Sequence, residues 1–311
     1  MIGNFNLNSL PNLSSSDKSW PWIDSNSTLP ATMPDGSSWP RISIVTPSYN
    51  QAQFLEETIR SVLMQGYPNL EYIIIDGGST DGSVEIIKRY SPYLSYWHSR
   101  KDDGQSDAIN QGLCMATGDI VAWINSDDTY LPEVFERIAT LFNRKNVELV
   151  YGRSFFIDEE SKIIGDYPAG PLQLDWRRFR YWRGWPVPQP TVFMRRGILE
   201  KFGYLDTSLH YGLDYDLFIR FSCHLIKFDF LDTPLANYRI HSHSKTGDWA
   251  KTQDLFYRET MRVNQRYAPW FLPENWRLWV EWFIQVSIRF SKKVLHPLVK
   301  WWKNDRIFKT H

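Results

Sequence analysis

Ile120-Val121-Ala122-Trp123-Ile124-Asn125-Ser126-Asp127-Asp128 passes from five apolar residues straight into a polar cluster that ends in two adjacent carboxylates. A short apolar run bounded by turn residues is the pattern of a strand covered on both faces. The same figure occurs twice upstream. Ile42-Ser43-Ile44-Val45-Thr46 gives way to Pro47-Ser48-Tyr49-Asn50, and Glu71-Tyr72-Ile73-Ile74-Ile75 gives way to Asp76-Gly77-Gly78-Ser79-Thr80-Asp81-Gly82. Between these runs, Leu55, Ile59, Val62 and Leu63 recur at helical spacing, as do Ala108, Ile109, Gly112, Leu113 and Met115. A further strand is expected near 93–98. Leu131-Pro132 is expected to open a helix with Val134, Phe135, Ile138, Leu141 and Phe142 on its core face. Strand and helix alternating in this way predict an α/β domain with a mainly parallel central sheet flanked by helices.

Outside this block the pattern changes. Residues 147–165 read as paired strands, 190–194 as a strand and 214–226 as a helix. Residues 1–40 are rich in Ser, Asn and Pro, with Trp20, Trp22 and Trp39, and read as an irregular arm. In the tail, 268–311, Trp276, Trp279, Val280, Phe283, Phe290 and Val294 share one helical face, and Arg277, Glu281, Gln285, Arg289 and Lys292 lie opposite. No stretch approaches the roughly 20 apolar residues that span a bilayer. A basic amphipathic helix carrying Trp suits a membrane surface. A helix packed on the rest of the chain or on a second subunit fits the same pattern equally well.

The chain has 311 residues and a formal net charge of +0, so no broadly basic, nucleic-acid-binding surface is expected. Cys114 and Cys223 have no metal-ligand spacing and read as two reduced thiols. The first forty residues lack a basic start followed by an apolar core, so a secretory signal is not expected. The expected location is the cytoplasm, at the inner face of the membrane if the tail binds lipid.

In open α/β sheets, ligands bind beyond the carboxyl ends of the strands, which is where the three polar clusters fall. Asp127 and Asp128 would be held close together there. Like charges that close repel, unless a cation or a donor compensates. A hard divalent ion, Mn²⁺ or Mg²⁺, bridged to diphosphate oxygens would do so, and would stabilise the charge on a departing nucleoside diphosphate. The alternative is a helix cap, with Asp128-Thr129 preceding Leu131-Pro132-Glu133. Gly104-Gln105-Ser106-Asp107-Ala108-Ile109-Asn110 opens a helix whose free backbone donors suit a nucleotide, although Asp107 and Asn110 fit ordinary first-turn positions equally well. Trp182, Trp185 and Gln189 lie in an aromatic loop that suits either a stacked acceptor or plain loop packing.

The three clusters, in this order and with Ala116-Thr117-Gly118-Asp119 before the last, resemble the family-2 glycosyltransferases of GT-A fold over about 41–245. The resemblance implies an inverting, metal-dependent enzyme of polysaccharide or glycoconjugate synthesis. Its donor would be a UDP- or GDP-sugar and its acceptor a carbohydrate or lipid-linked saccharide. Residues 41–150 would form the nucleotide-sugar-binding half and 151–267 the acceptor-binding half. Pro47 and Tyr49 would line base and ribose, Asp76 and Ser79 would sit by the base, and Gly104 would neighbour the nucleotide. Asn125, Asp127 and Asp128 would fill the DxD role at ribose and metal. Within Tyr211-Gly212-Leu213-Asp214-Tyr215-Asp216-Leu217, Asp214 matches the family's catalytic base, with Asp216 as the fallback. A single carboxylate opposite the leaving group is what one in-line displacement requires. In Arg239-Ile240-His241-Ser242-His243-Ser244-Lys245, His241 would join the metal and Lys245 the phosphates. Two positions depart from the family pattern. Gly77 replaces a second Asp that in many relatives reads the base, and Leu213 replaces a Glu.

Other classes fit less well. A Rossmann oxidoreductase needs GxGxxG after the first strand, and a nucleotidyltransferase a Gly-rich basic loop; Pro47-Ser48-Tyr49-Asn50 is neither. Against a catalytically inactive nucleotide- or carbohydrate-binding scaffold stands the presence of Asp127, Asp128, Asp214 and His241 together.

Overall fold

In the computed structural model, which describes residues 10–11, 21, 29–171, 187–242, 244–245 and 249–267, the apolar runs form a parallel group of strands. β1 (Ile42–Ser48) lies between β2 (Leu70–Asp76) and β4 (Ile120–Trp123), and β3 (Tyr96–Ser99) flanks β2. The register aligns Ser48 with Asp76 and Asp76 with Ser99, so the carboxyl ends of these strands are level. β1 is buried at every position, as expected of a strand covered on both faces.

The rest of the sheet is mixed. β8 (Phe193–Arg195) joins β4 antiparallel, and β6 (Leu149–Ile157) pairs antiparallel with β8. β9 (Phe228–Arg239) runs parallel to β6, while β5 (Thr129–Tyr130) is antiparallel to β9. β7 (Ile163–Asp166) forms a hairpin with β6, as the paired-strand reading of 147–165 expects. The strand order is β3-β2-β1-β4-β8-β6-β9-β5, with β7 on β6. The sheet and the site belong to one compact unit, Met1–Val263.

Seven helices are described: α1 (Ala52–Leu63), α2 (Ser83–Tyr90), α3 (Gln105–Met115), α4 (Val134–Phe142), α5 (Arg196–Phe202), α6 (Leu213–Cys223) and α7 (Trp249–Tyr267). α1 buries Phe54, Leu55, Ile59, Val62 and Leu63, the stripe visible in its sequence. α3 lies against β1 so closely that a Cβ at Gly112 would run into the Val45 side chain. That fit fixes where the start of α3 stands relative to the strand ends. At the other end of the strands Glu71, 6% exposed, accepts hydrogen bonds from Ser43 Oγ, Thr117 N–H and Thr117 Oγ and pairs with Arg41. It thereby ties the turn before β4 to β1 and β2.

Two boundaries differ from expectation. α4 begins at Val134 rather than at Leu131-Pro132, because Thr129 and Tyr130 are still paired in the sheet and Glu133 sits at φ 63 before the helix. Asp128 therefore does not cap that helix. α6 begins at Leu213, within one residue of the expected start and with Asp214 and Asp216 in its first turn, but ends at Cys223 rather than at 226. Trp39 is buried and its Nε1 donates to the Pro30 carbonyl at 2.8 Å. Trp20, Trp22, Trp182, Trp185, His243 and the tail from 268 lie outside the described residues. Among the described residues no helix is long and apolar enough to cross a membrane. Cys114 and Cys223 are both exposed, and neither is in a disulfide.

Candidate active site

The loops after β1 and β2 are knotted together. The Asn50 N–H donates to Ser79 Oγ (2.8 Å), the Thr80 N–H donates to Asn50 Oδ1 (2.9 Å), and the Ala52 N–H donates to Asp81 Oδ2 (2.9 Å). Asn50 takes φ 51 to make this turn, a value that Asn tolerates better than most residues. Pro47 is buried within β1, whereas Tyr49, just past its end, is 63% exposed. Asp76 is fully buried and spends its carboxylate inside the loop, accepting from the N–H groups of Gly78 and Ser79 and the hydroxyls of Ser79 and Ser99. Asp76 and Ser79 thus give the loop its shape. Gly104 precedes α3 at φ 105, a conformation suited to glycine.

At the end of β4, Asn125 is the centre of an amide chain. Its Oδ1 accepts from Gln105 Nε2 (2.7 Å), and its Nδ2 donates to Asp128 Oδ2 (3.2 Å) and Gln189 Oε1 (3.3 Å). Gln189, expected either beside a stacked acceptor or in plain loop packing, anchors this chain by donating to the Trp123 carbonyl at 2.9 Å. Asp128 is 2% exposed, and its Oδ1 accepts the Arg239 N–H at 2.9 Å. Burial, with the neighbouring Asp127 charge, pushes its carboxyl well above the usual carboxylate range.

Arg239 is the residue that sequence reasoning undervalued. Its buried guanidinium donates to the Asp127 carbonyl (2.8 Å), the Asp158 carbonyl (2.8 Å), Ser161 Oγ (2.9 Å) and Glu57 Oε2 (2.6 Å). It also lies 4.7 Å from the Phe54 ring centroid. One side chain thus fixes the 127–128 backbone to β9, to the β6–β7 turn and to α1. The signal was there in the Arg-Ile-His segment, which was read for its histidine.

His241, 5% exposed, brings Nε2 to 3.0 Å from Asp127 Oδ2, and its ring packs 4.6 Å from Phe54. Ligands about 2.1 Å from an octahedral ion in cis positions stand about 3.0 Å apart, so this pair fits two neighbouring positions on Mn²⁺ or Mg²⁺. Asp128, expected as a third ligand, instead directs its oxygens to Asn125 and the Arg239 backbone. Among the described residues there is no group of three or more such side chains able to hold an ion.

Asp214 stands in the first turn of α6, half-buried, with Oδ1 accepting the Tyr215 N–H at 2.8 Å. Burial pushes its pKa up to about 6, against the opposing pull of backbone donors and the Lys245 charge. Lys245 donates to the His210 carbonyl at 2.7 Å and feels the charges of Glu259, Asp214 and Asp127 together. It therefore links the Asp214 side of the site to the Asp127 side. Asp216 is buried and paired with Arg220 at 3.1 Å, so its carboxylate is committed to the fold. Glu259 of α7, 9% exposed, accepts the N–H groups of His210 (3.0 Å), Tyr211 (2.7 Å) and Gly212 (2.9 Å) just ahead of α6. No local pattern around Glu259 announces that role.

A sheet parallel at one end and mixed at the other, with acidic loops beyond its strand ends, is the architecture of the GT-A-type glycosyltransferases. Structures of similar fold include S. aureus TarS 1-349 in complex with UDP-GlcNAc (TM-score 0.58, 18% identity), which covers 73% of this chain; this chain spans 66% of that one. Another is the mannosyltransferase PcManGT from Pyrobaculum calidifontis in complex with GDP-Man and Mn²⁺ (TM-score 0.50, 16% identity, covering 83% and 81%). The sequence model of glycosyl transferase family 2 matches residues 43–203, and the chain belongs to that family. An uncharacterized glycosyltransferase of Mycobacterium tuberculosis is 29% identical over 269 residues, 81% of this chain and 99% of the relative. One from Methanocaldococcus jannaschii is 24% identical over 255 residues, 80% and 87% respectively.

Proposed function

We propose that this glycosyltransferase transfers a sugar from a UDP- or GDP-sugar to a hydroxyl of a carbohydrate or lipid-linked saccharide, in a single displacement that inverts the anomeric carbon. The observation that carries this reading is Asp214. Its pKa of about 6 suits a base that is ionised at neutral pH yet basic enough to accept a hydroxyl proton. The Lys245 ammonium feels the charge of Asp214 and of Asp127, so base and phosphate-binding residues act on a common cation. The structural neighbours bind UDP-GlcNAc and GDP-Man, which supports a nucleotide-sugar donor of either kind.

In this reading Asp127 and His241 hold Mn²⁺ or Mg²⁺, which when bound offsets charge on the departing diphosphate. Arg239 and the Asn125 amide chain keep that pair in place. Lys245 adds a positive charge toward the phosphates. Asp214 orients the acceptor hydroxyl and takes its proton as the bond to the anomeric carbon forms. One carboxylate acting across from the leaving group leaves no glycosyl-enzyme intermediate, hence inversion.

Nucleotide-sugar hydrolysis in the absence of acceptor tests the reading. Slow cleavage of UDP- or GDP-sugars, dependent on Mn²⁺ and lost in Asp214→Asn, is expected. Tight binding with no turnover under any of these conditions would replace the enzyme with a binding scaffold.

A further inference from the structure

We propose that Asp102 selects the nucleobase of the donor, its carboxylate accepting the ring N–H that uracil and guanine carry and cytosine and adenine lack. The proposal rests on the nucleotide-sugar reading above and adds the residue that reads the base.

The observation starts at Gly77, the first residue beyond β2. Its φ lies outside the left-handed region, so the backbone conformation does not demand glycine. Space does. A Cβ built there would stand 2.8 Å from Asp102 Oδ2 and 3.2 Å from Asp102 Cγ. The Asp102 carboxylate thus occupies the room that a side chain at 77 would take. The loop carrying it is clamped to the end of β2. Ser99 Oγ donates to Asp76 Oδ2 (2.6 Å), the Arg100 N–H donates to the Asp76 carbonyl (2.9 Å), and a Cβ at Gly78 would lie 3.3 Å from the Lys101 nitrogen.

Within that loop the carboxylate is half satisfied. Oδ1 accepts the Gly104 N–H at 2.9 Å, and no donor among the described residues reaches Oδ2. Burial, with the charges of Asp107, Asp76 and Asp103, holds its carboxyl above the ordinary value despite the Gly104 donor. A carboxylate so placed is short of donors and gains from an incoming N–H. At the end of the adjacent strand, Tyr49 follows Ser48, the register partner of Asp76, and shows 63% of its surface. An exposed aromatic ring at the end of β1 and a carboxylate with an open acceptor beside the end of β2 are the two features a nucleobase requires, a face to stack on and an acceptor for its N–H edge. All of this lies beyond the carboxyl ends of parallel strands, where such sheets take nucleotides.

Acceptor-only chemistry gives the specificity a sign. Uracil N3 and guanine N1 carry hydrogen, whereas cytosine N3 and adenine N1 are acceptors that a carboxylate repels. Calorimetric titration of the full chain with UDP, GDP, CDP and ADP, each with Mn²⁺, tests this. The wild type should bind UDP or GDP about tenfold or more tighter than CDP and ADP. Asp102→Asn keeps the Gly104 bond through its remaining oxygen but turns the free acceptor into a donor. That preference should then collapse by about tenfold, with CDP gaining. Gly77→Ala, whose methyl displaces the carboxylate, should lose the preference in the same way. Gly77→Asp combined with Asp102→Gly should recover part of it. An unchanged UDP-to-CDP or GDP-to-CDP ratio in Asp102→Asn overturns the role of Asp102 alone. A wild type that binds none of the four overturns the donor reading and this proposal together.

Discussion

His241 Nε2 and Asp127 Oδ2 stand 3.0 Å apart although 114 positions separate the two residues in the chain. Their meeting is a product of the sheet. The two-residue strand β5 pairs Thr129 with Asn237 on β9, which draws the end of β9 alongside the 127–128 turn. Arg239 then locks the junction through its backbone N–H to Asp128 and its guanidinium to the Asp127 carbonyl. The site is thus assembled by one edge pairing and one arginine.

Removing that arginine should be costly. Arg239→Ala leaves Glu57 without its cation, and a buried ion pair broken on one side costs about 3–5 kcal/mol. Urea unfolding of the variant should show a loss of that order. A change below about 1 kcal/mol would mean that the guanidinium is not the lock described here.

Asp214→Asn should reduce kcat by about 10²–10⁴, the range for a lost general base, with donor affinity nearly unchanged. The pH dependence has a definite sign. Asp214 must be ionised to act, so wild-type kcat/KM should rise as pH climbs through about 6 and level off above it. Steady-state rates between pH 5 and pH 8 check this. A flat profile, or equal loss of donor binding in the Asn variant, removes Asp214 as the base.

Glu259 should act on the reaction through position alone. Glu259→Gln weakens three N–H contacts ahead of α6 and should cost about 1–3 kcal/mol in chemical denaturation. Because those contacts set the start of the helix carrying Asp214, kcat should fall while KM for the donor holds. Loss of stability with kcat unchanged would confine Glu259 to the fold.

The parallel half of the fold was legible because β1, β2 and β4 are short, largely apolar runs, each ending in turn residues. The mixed half was legible in part: 147–165 read as paired strands and 190–194 as a strand overlapping β8, whereas the two-residue β5 owes its existence to its partner β9 rather than to its own pattern. Pro132 misplaced the start of α4 for the same reason, as β5 keeps the chain in the sheet past Asp128. Among the candidate site residues, Asp127, Asp214 and His241 were visible in motifs. Glu259 was not, because its partners lie 47 to 49 positions upstream. Asp102 was equally silent, because only the fold shows that its carboxylate fills the space above Gly77.

The proposed metal pair, Asp127 and His241, admits the most direct test. Electron paramagnetic resonance reports free Mn²⁺, and its signal should fall when wild-type protein and UDP or GDP are added together. Asp127→Asn and His241→Ala should each restore the free-ion signal, by about 10- to 100-fold in apparent affinity. Equal manganese uptake by the wild type and both variants would contradict the account at its centre.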